Sequence, residues 1–99
     1  MKKLLLASAI PALAAGGAFA DEVKLGVLLG FTGPLESITS FMADGAELAM
    51  REVSESGQFL GGTTVSSVRA DSTCIDSSAA TAAAERMINS DGVISIMGA

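Results

Sequence analysis

The chain has 99 residues, of which 49% are hydrophobic and 17% are charged, a balance typical of folded proteins. Eleven acidic against six basic residues give a formal net charge of −5, and no basic patch is present, so nucleic acid and anionic lipid are poor partners. The chain lacks histidine, which excludes Ser/His/Asp and Cys/His catalytic arrangements within these residues.

Residues 1–20 have the three parts of a secretory signal peptide. Lys2 and Lys3 form a basic start, an apolar stretch follows, and the letters AFA at 18–20 fit the small-x-small cleavage rule. The apolar stretch is well short of the ~20 residues that a membrane-spanning helix needs, and Pro11 interrupts it. We therefore expect cleavage before Asp21 and export to an oxidising compartment.

Residues 23–29 (VKLGVLL) form an apolar run that suits a strand covered on both faces. The letters GFTGPL at 30–35 break this pattern, because Gly30 and Gly33 allow a tight turn and Pro34 fixes the exit of the chain. The glycine spacing matches neither dinucleotide nor P-loop fingerprints, and no lysine is available to reach a phosphate. We therefore predict a turn without a nucleotide site.

A long helix is predicted from residue 38 onward, because apolar residues recur at i, i+3 and i+4 through four turns. Ser37 is expected to cap its start and Gly57 to end it. Glu47 with Arg51, and Arg51 with Glu55, have the spacing of helical ion pairs. The stripe expected to be buried consists of Ile38, Phe41, Met42, Gly45, Ala46, Ala49, Met50 and Val53.

Residues 63–70 (TTVSSVRA) are rich in β-formers and predict a second strand, which follows a turn at two glycines. The polar loop DSTCID at 71–76 comes next. Asp71 and Asp76 are interpreted as turn and cap residues, because two carboxylates without a third ligand at suitable spacing make a weak metal site. Cys74 is the chain's one cysteine, which in an exported protein indicates either a missing partner or a free thiol.

A second helix is predicted after Asp76 or Ser77, either of which can cap its start, and it should end near residue 89. Residues 93–97 (VISIM) predict a third buried strand. The residues of the second helix expected to face inward are Ala80, Ala83, Ala84, Met87 and Ile88.

The element order is β-α-β-α-β, which right-handed crossovers turn into a parallel sheet with helices packed over it. The fold class is therefore α/β, part of a three-layer, doubly wound parallel sheet. Because the sequence stops directly after a core strand, we expect residues 21–99 to be the N-terminal part of a longer protein. Ligands of such sheets collect at the carboxyl ends of the strands, so the loops after the strands are the candidate sites.

Several motifs in order resemble the first lobe of periplasmic solute-binding proteins of the leucine/isoleucine/valine-binding type. They are TGPL at 32–35, DGAELA at 44–49 and DSTCID at 71–76, followed by a helix and VISIMGA. The resemblance implies a type I binding protein with two lobes that close around a small solute, usually an amino acid. It also implies delivery to an ABC permease in the inner membrane, with no enzymatic activity, cofactor or metal. The alternative is a ligand-sensing domain of the same fold in a receptor or regulator.

The resemblance also identifies candidate site residues. Members that bind branched-chain amino acids often place an aromatic side chain a few residues past the G-P, where this chain has Ile38 or a close neighbour and contains no Tyr or Trp. A disulfide from the loop at 71–76 is common in the family, so the partner of Cys74 is expected beyond the end of this chain. The expected wall of the ligand cleft consists of Leu35, Glu36, Ser37 and Ile38.

Overall fold

The computed structural model describes residues 21–98, and the predicted signal peptide lies outside them. Three strands alternate with two long helices in the predicted order. Short helical turns at Phe59–Gly61 and Met87–Asp91 precede the second and third strands. The strands and helices are β1 (Glu22–Leu29), α1 (Glu36–Ser56), β2 (Thr64–Asp71), α2 (Ser77–Arg86) and β3 (Ser95–Gly98).

The three strands form one parallel sheet in the order β2-β1-β3, which confirms the predicted architecture. In the register of β1 with β2, Glu22 lies opposite Thr64 and Leu29 opposite Asp71. The shorter β3 pairs with the carboxyl half of β1. Since β2 and β3 flank β1, right-handed crossovers in opposite directions place the two helices on opposite faces of the sheet.

Each face of the sheet has its own small core, because successive side chains of β1 point to opposite faces. On the α2 face, Leu28 packs with Ala70, Met87 and Val93. On the α1 face, the core consists of Val27, Leu29 and Ala43. The structure is therefore three-layered, with β1 buried on both sides.

The start of α1 differs from the prediction. The helix begins at Glu36 with Leu35 at the N-cap position, and no side chain caps this end. Ser37 lies inside the first turn, so the prediction that it caps the helix is wrong. The predicted end is confirmed, because Gly57 adopts the left-handed conformation with φ 66°.

The face of α1 that packs on the sheet also differs from the predicted stripe. Thr39 and Ala43 are the buried residues of the helix. Ile38, Phe41 and Met42 were expected to be buried, but they are 56%, 76% and 51% exposed. The apolar surface of α1 is wider than one stripe, and the helix packs on the sheet through the side that carries Thr39 and Ala43.

The ion pairs of α1 connect it to β2 and not to its own next turn. Nη2 of Arg69 lies 2.7 Å from Oδ1 of Asp44 and 2.7 Å from Oε2 of Glu47, so the predicted pairing of Glu47 with Arg51 is replaced by one across the layers. The Arg69 guanidinium lies over the Phe31 ring at 5.5 Å from its centroid. Hydrogen bonding from Arg69 lowers the pKa of Glu47 to about 2, and the same bonds raise the pKa of Arg69.

The second helix ends earlier than predicted. Its last regular residue is Arg86, and a π-helical turn, Met87–Asp91, leads to Gly92 in the left-handed conformation. Ile88 was expected to face inward but lies in this π-helical turn and is 58% exposed. The third strand begins at Ser95 and not at residue 93, and it is partly exposed where complete burial was predicted.

Candidate functional site

The carboxyl edge of the sheet contains the point at which the strand order reverses. The chain moves from β1 to β2 on one side and then to β3 on the other, so the reversal lies between β1 and β3. In open α/β sheets, ligands bind in the crevice outside this point. The loop at residues 30–35, which leaves β1, and the end of β3 at Gly98 therefore border the candidate site.

Glycine is required at two positions of the loop at 30–35, for different structural reasons. Gly33 has φ 95°, a conformation that favours glycine. Gly30 is needed for a close approach, because a Cβ atom added there would lie 2.5 Å from Sγ of Cys74. The loop after β1 is thus packed directly against the loop after β2, as the pairing of the two strands requires.

Asp71, the last residue of β2, holds the loop at 30–35 with its carboxylate. Its Oδ1 accepts hydrogen bonds from the backbone N–H of Phe31 at 2.9 Å and of Thr32 at 3.3 Å. The Thr32 hydroxyl donates to Oδ2, and the N–H of Thr73 donates to Oδ1 at 2.8 Å. The Thr32 hydroxyl first, and then the Thr73 N–H, hold the pKa of Asp71 below its ordinary value. The carboxylate is therefore ionised at neutral pH.

The predicted wall residues lie together at this edge, on the N-cap and first turn of α1. All four side chains are exposed, with Leu35 at 44% and Ile38 at 56%. The turn is joined to the loop before it by the Thr39 hydroxyl, which donates to the carbonyl oxygen of Gly30 at 2.7 Å. Two apolar side chains, a hydroxyl and a carboxylate are thereby presented on one turn. Their contact with a solute remains a prediction.

The loop after β2 lies beside this turn and is tightly built. Thr73 and Cys74 both adopt left-handed backbone conformations, with φ 59° and 61°. Asp76 accepts hydrogen bonds from the N–H groups of Ser78 and Ala79, which confirms its predicted role as the cap of α2. A surface depression of about 320 Å³ opens beside this cap, but it includes none of the predicted wall residues. Because Asp76 already occupies the amino end of α2, that end is not available to an anionic ligand.

Gly98 sets the distance between β1 and β3 at the reversal point. It has φ 102°, and a Cβ atom added there would lie 2.1 Å from the carbonyl oxygen of Leu28. A side chain at this position would therefore force the two strands apart. The strand prediction ended at residue 97 and missed this close approach, although the glycine directly after an apolar run was a visible signal.

The link between Thr32 and Asp71 is absent from the sequence predictions. Asp71 was correctly interpreted as a turn residue, and it does accept a hydrogen bond from the N–H of Thr73. Its partners across the edge are about 40 residues away in sequence, and they become neighbours only through the register that places Leu29 opposite Asp71. A predicted pairing of the strand ends was the signal that could have found this link.

Among residues 21–98, no group of three or more His, Cys, Asp or Glu side chains is placed to hold a metal ion. No helix within these residues has the length and apolar character needed to cross a bilayer.

Comparison with known proteins agrees with the fold. A family model described as "Periplasmic binding protein" matches residues 22–99. The chain belongs to the periplasmic binding protein family. The three-stranded sheet with alternating helices is thus part of a type I periplasmic binding protein lobe.

Similar relatives come from several Brucella strains. Leu/Ile/Val-binding protein homolog 7 of Brucella abortus (strain 2308) is 36% identical over 99 residues. Proteins of the same name from Brucella suis biovar 1 (strain 1330) and Brucella melitensis biotype 1 match equally. The alignments cover 99% of this chain and 24% of each relative. This family member therefore spans about a quarter of the length of the curated relatives that it matches.

Proposed function

We propose that this chain is part of the solute-binding component of an ABC importer, which binds an amino acid or a related small solute and delivers it to a membrane permease. The observation that carries the proposal is the exposed first turn of α1, held at the reversal point of the sheet in a chain that belongs to a family of binding proteins. The name of the Brucella relatives supports an amino acid as the solute class.

The chemistry of the turn suits a small solute with both apolar and charged groups. Leu35 and Ile38 offer exposed apolar surface, the Ser37 hydroxyl can donate or accept a hydrogen bond, and the Glu36 carboxylate can accept from an ammonium group. An exposed wall of this kind requires a second wall to exclude water, since ligand sites bury most of the ligand surface. Closure of a second lobe against this turn would supply it.

We also propose that the protein acts in the periplasm after cleavage of residues 1–20. The basic start, apolar stretch and cleavage letters support this proposal. The exposed Cys74 thiol is compatible with a disulfide to a residue beyond this chain. The N-terminal sequence of protein recovered from a periplasmic extract should begin at Asp21, and a mature protein that begins at Met1 would contradict the localisation.

A ligand screen tests solute binding. The protein, produced at the length that its gene encodes, is heated with each of a panel of amino acids, amides and short-chain acids. A solute at 100 times its Kd should stabilise the protein by about 2.7 kcal/mol and raise the Tm. If no compound in the panel raises the Tm, the binding function is contradicted.

Two matched variants test the position of the site. Ile38 and Leu48 are 56% and 50% exposed on the same helix, but Leu48 lies ten residues further on, about 15 Å along the axis. Ile38→Ala should weaken solute affinity roughly tenfold through lost apolar contact, whereas Leu48→Ala should leave it unchanged. Equal affinities of both variants and the original protein would exclude the first turn of α1 from the site.

Solute uptake by cells that lack the protein distinguishes an importer component from a sensory domain, because only the former is required for uptake.

A further inference from the structure

We infer that Asp71 is a positioning residue, which acts through Phe31 and Thr32 to fix where the first turn of α1 faces the solute. The inference rests on the proposed function and adds to it a residue of β2 that the wall of the cleft does not include. Asp71 lies at the end of a strand adjacent to β1, so its carboxylate reaches the loop at 30–35 from outside that loop.

The hydrogen bonds of Asp71 indicate positioning and not solute contact. Its Oδ1 accepts from three backbone N–H groups, those of Phe31, Thr32 and Thr73. Its Oδ2 accepts from the Thr32 hydroxyl. With both oxygens engaged within the protein, a solute ammonium group would have to displace charge-assisted bonds to reach this carboxylate.

Apart from Asp71, the contacts that hold the loop at 30–35 lie mainly at its start. The Thr39 hydroxyl donates to the carbonyl oxygen of Gly30, and the Arg69 guanidinium lies over the Phe31 ring. Phe31 is half-buried, but Thr32, Gly33 and Pro34 are exposed, so burial contributes little to fixing their path. The close approaches of Gly30 to Cys74 and of Gly33 to Thr73 limit how near the two loops can come. Among residues 21–98, Asp71 is the one side chain outside the loop that accepts from the backbone N–H groups of residues 31–33.

The position of the loop is transmitted to the first turn of α1 by a short path. Gly33 accepts a hydrogen bond from the N–H of Glu36 at 3.4 Å, and Leu35 accepts from the N–H groups of Ile38 and Thr39 at 2.9 and 3.1 Å. Because no side chain caps this helix end, its orientation depends on the loop that precedes it. A loop released from Asp71 would therefore leave the wall residues less ordered, and ordering them on binding would reduce affinity.

The test uses variants of the protein at the length its gene encodes. Thr32→Val removes the hydroxyl at nearly constant shape, Thr32→Ser restores it, and Asp71→Ala removes the whole set of bonds. Asp76→Ala is the matched control, because Asp76 is also a loop carboxylate that accepts two backbone hydrogen bonds but contacts α2 and not residues 30–35. Two quantities are measured: solute affinity by calorimetry, and amide hydrogen exchange of Ile38 and Thr39 without solute.

We expect Asp71→Ala to weaken affinity by more than tenfold and Thr32→Val by roughly three- to tenfold, with recovery in Thr32→Ser. Exchange at Ile38 and Thr39 should be several times faster in the first two variants and unchanged in Asp76→Ala. Unchanged exchange in Asp71→Ala, or equal loss of affinity in Asp76→Ala, would overturn the inference. If no solute binds the original protein, the proposed function fails, and the exchange rates alone then decide whether Asp71 positions this turn.

Discussion

The same substitution at two glycines should change stability in opposite directions. A Cβ atom at Gly30 would lie 2.5 Å from Sγ and 3.0 Å from Cβ of Cys74, and 3.1 Å from the backbone carbon of Thr73. A Cβ atom at Gly45, in the middle of α1, meets nothing within 4 Å. Gly30→Ala therefore tests the packing of the two loops, and Gly45→Ala shows the effect of the same change without a collision.

The magnitudes follow from these distances. Gly45→Ala should stabilise the protein by about 0.5–1 kcal/mol, because alanine loses less backbone entropy in a helix. At Gly30, Sγ of Cys74 could rotate away, but Cβ of Cys74 and the backbone carbon of Thr73 cannot, so one loop must shift. Overpacking of this kind costs about 1–3 kcal/mol, and the entropy gained from replacing glycine offsets at most about 1 kcal/mol. We expect a net destabilisation of about 1–2 kcal/mol.

Urea unfolding followed by far-UV circular dichroism measures both changes. With a slope of about 1 kcal/mol/M, the midpoint should fall by roughly 1–2 M for Gly30→Ala and rise by roughly 0.5–1 M for Gly45→Ala. Cys74→Gly removes the two closest atoms, Sγ and Cβ of Cys74, and the positive φ of Cys74 accommodates glycine. In that background Gly30→Ala should cost less, because only the 3.1 Å approach to the backbone of Thr73 remains. An equal cost in both backgrounds, or no cost in either, would refute the packing argument.

Three further changes have expected outcomes in the same unfolding assay. Glu47→Gln should cost about 1 kcal/mol at pH 7, because Arg69 is 38% exposed and solvent screens the pair. Since the pKa of Glu47 is lowered from 4.5 to about 2, the difference in unfolding free energy between the original protein and Glu47→Gln should be complete above pH 4.5. It should disappear as the pH falls through 2. Leu60→Gly should stabilise by about 1 kcal/mol, because Leu60 has φ 44°. Asp76→Ala should destabilise the protein by about 1 kcal/mol through loss of the cap of α2. Asp76→Asn should retain most of the stability that the cap provides.

The element order and the parallel sheet could be predicted from the sequence, but the buried face of α1 could not. Hydrophobic periodicity treats Thr39 and Ser54 as polar and assigns them to the solvent face. In the structure, the Thr39 hydroxyl donates to Gly30, and Oγ of Ser54 accepts from the N–H of Val65 at 2.8 Å. These side chains hydrogen-bond to the loop and strand beneath the helix. Between them, the small side chain of Ala43 packs against Val27 and Leu29 of β1. Such pairings depend on tertiary contacts that no local pattern contains.

The candidate site shows the same division between local and long-range information. The turn at 30–35 and the cap at Asp76 involve neighbours in sequence, so residue preferences were sufficient to predict them. The bond from Thr32 to Asp71 spans 39 residues and depends on which strand lies beside β1. A threonine on a loop and an aspartate after a strand are common separately, and neither indicates the other. Once the β1–β2 register is known, however, both strand ends lie at the same level of the sheet, and a carboxylate there is within reach of the N–H groups of the adjacent loop.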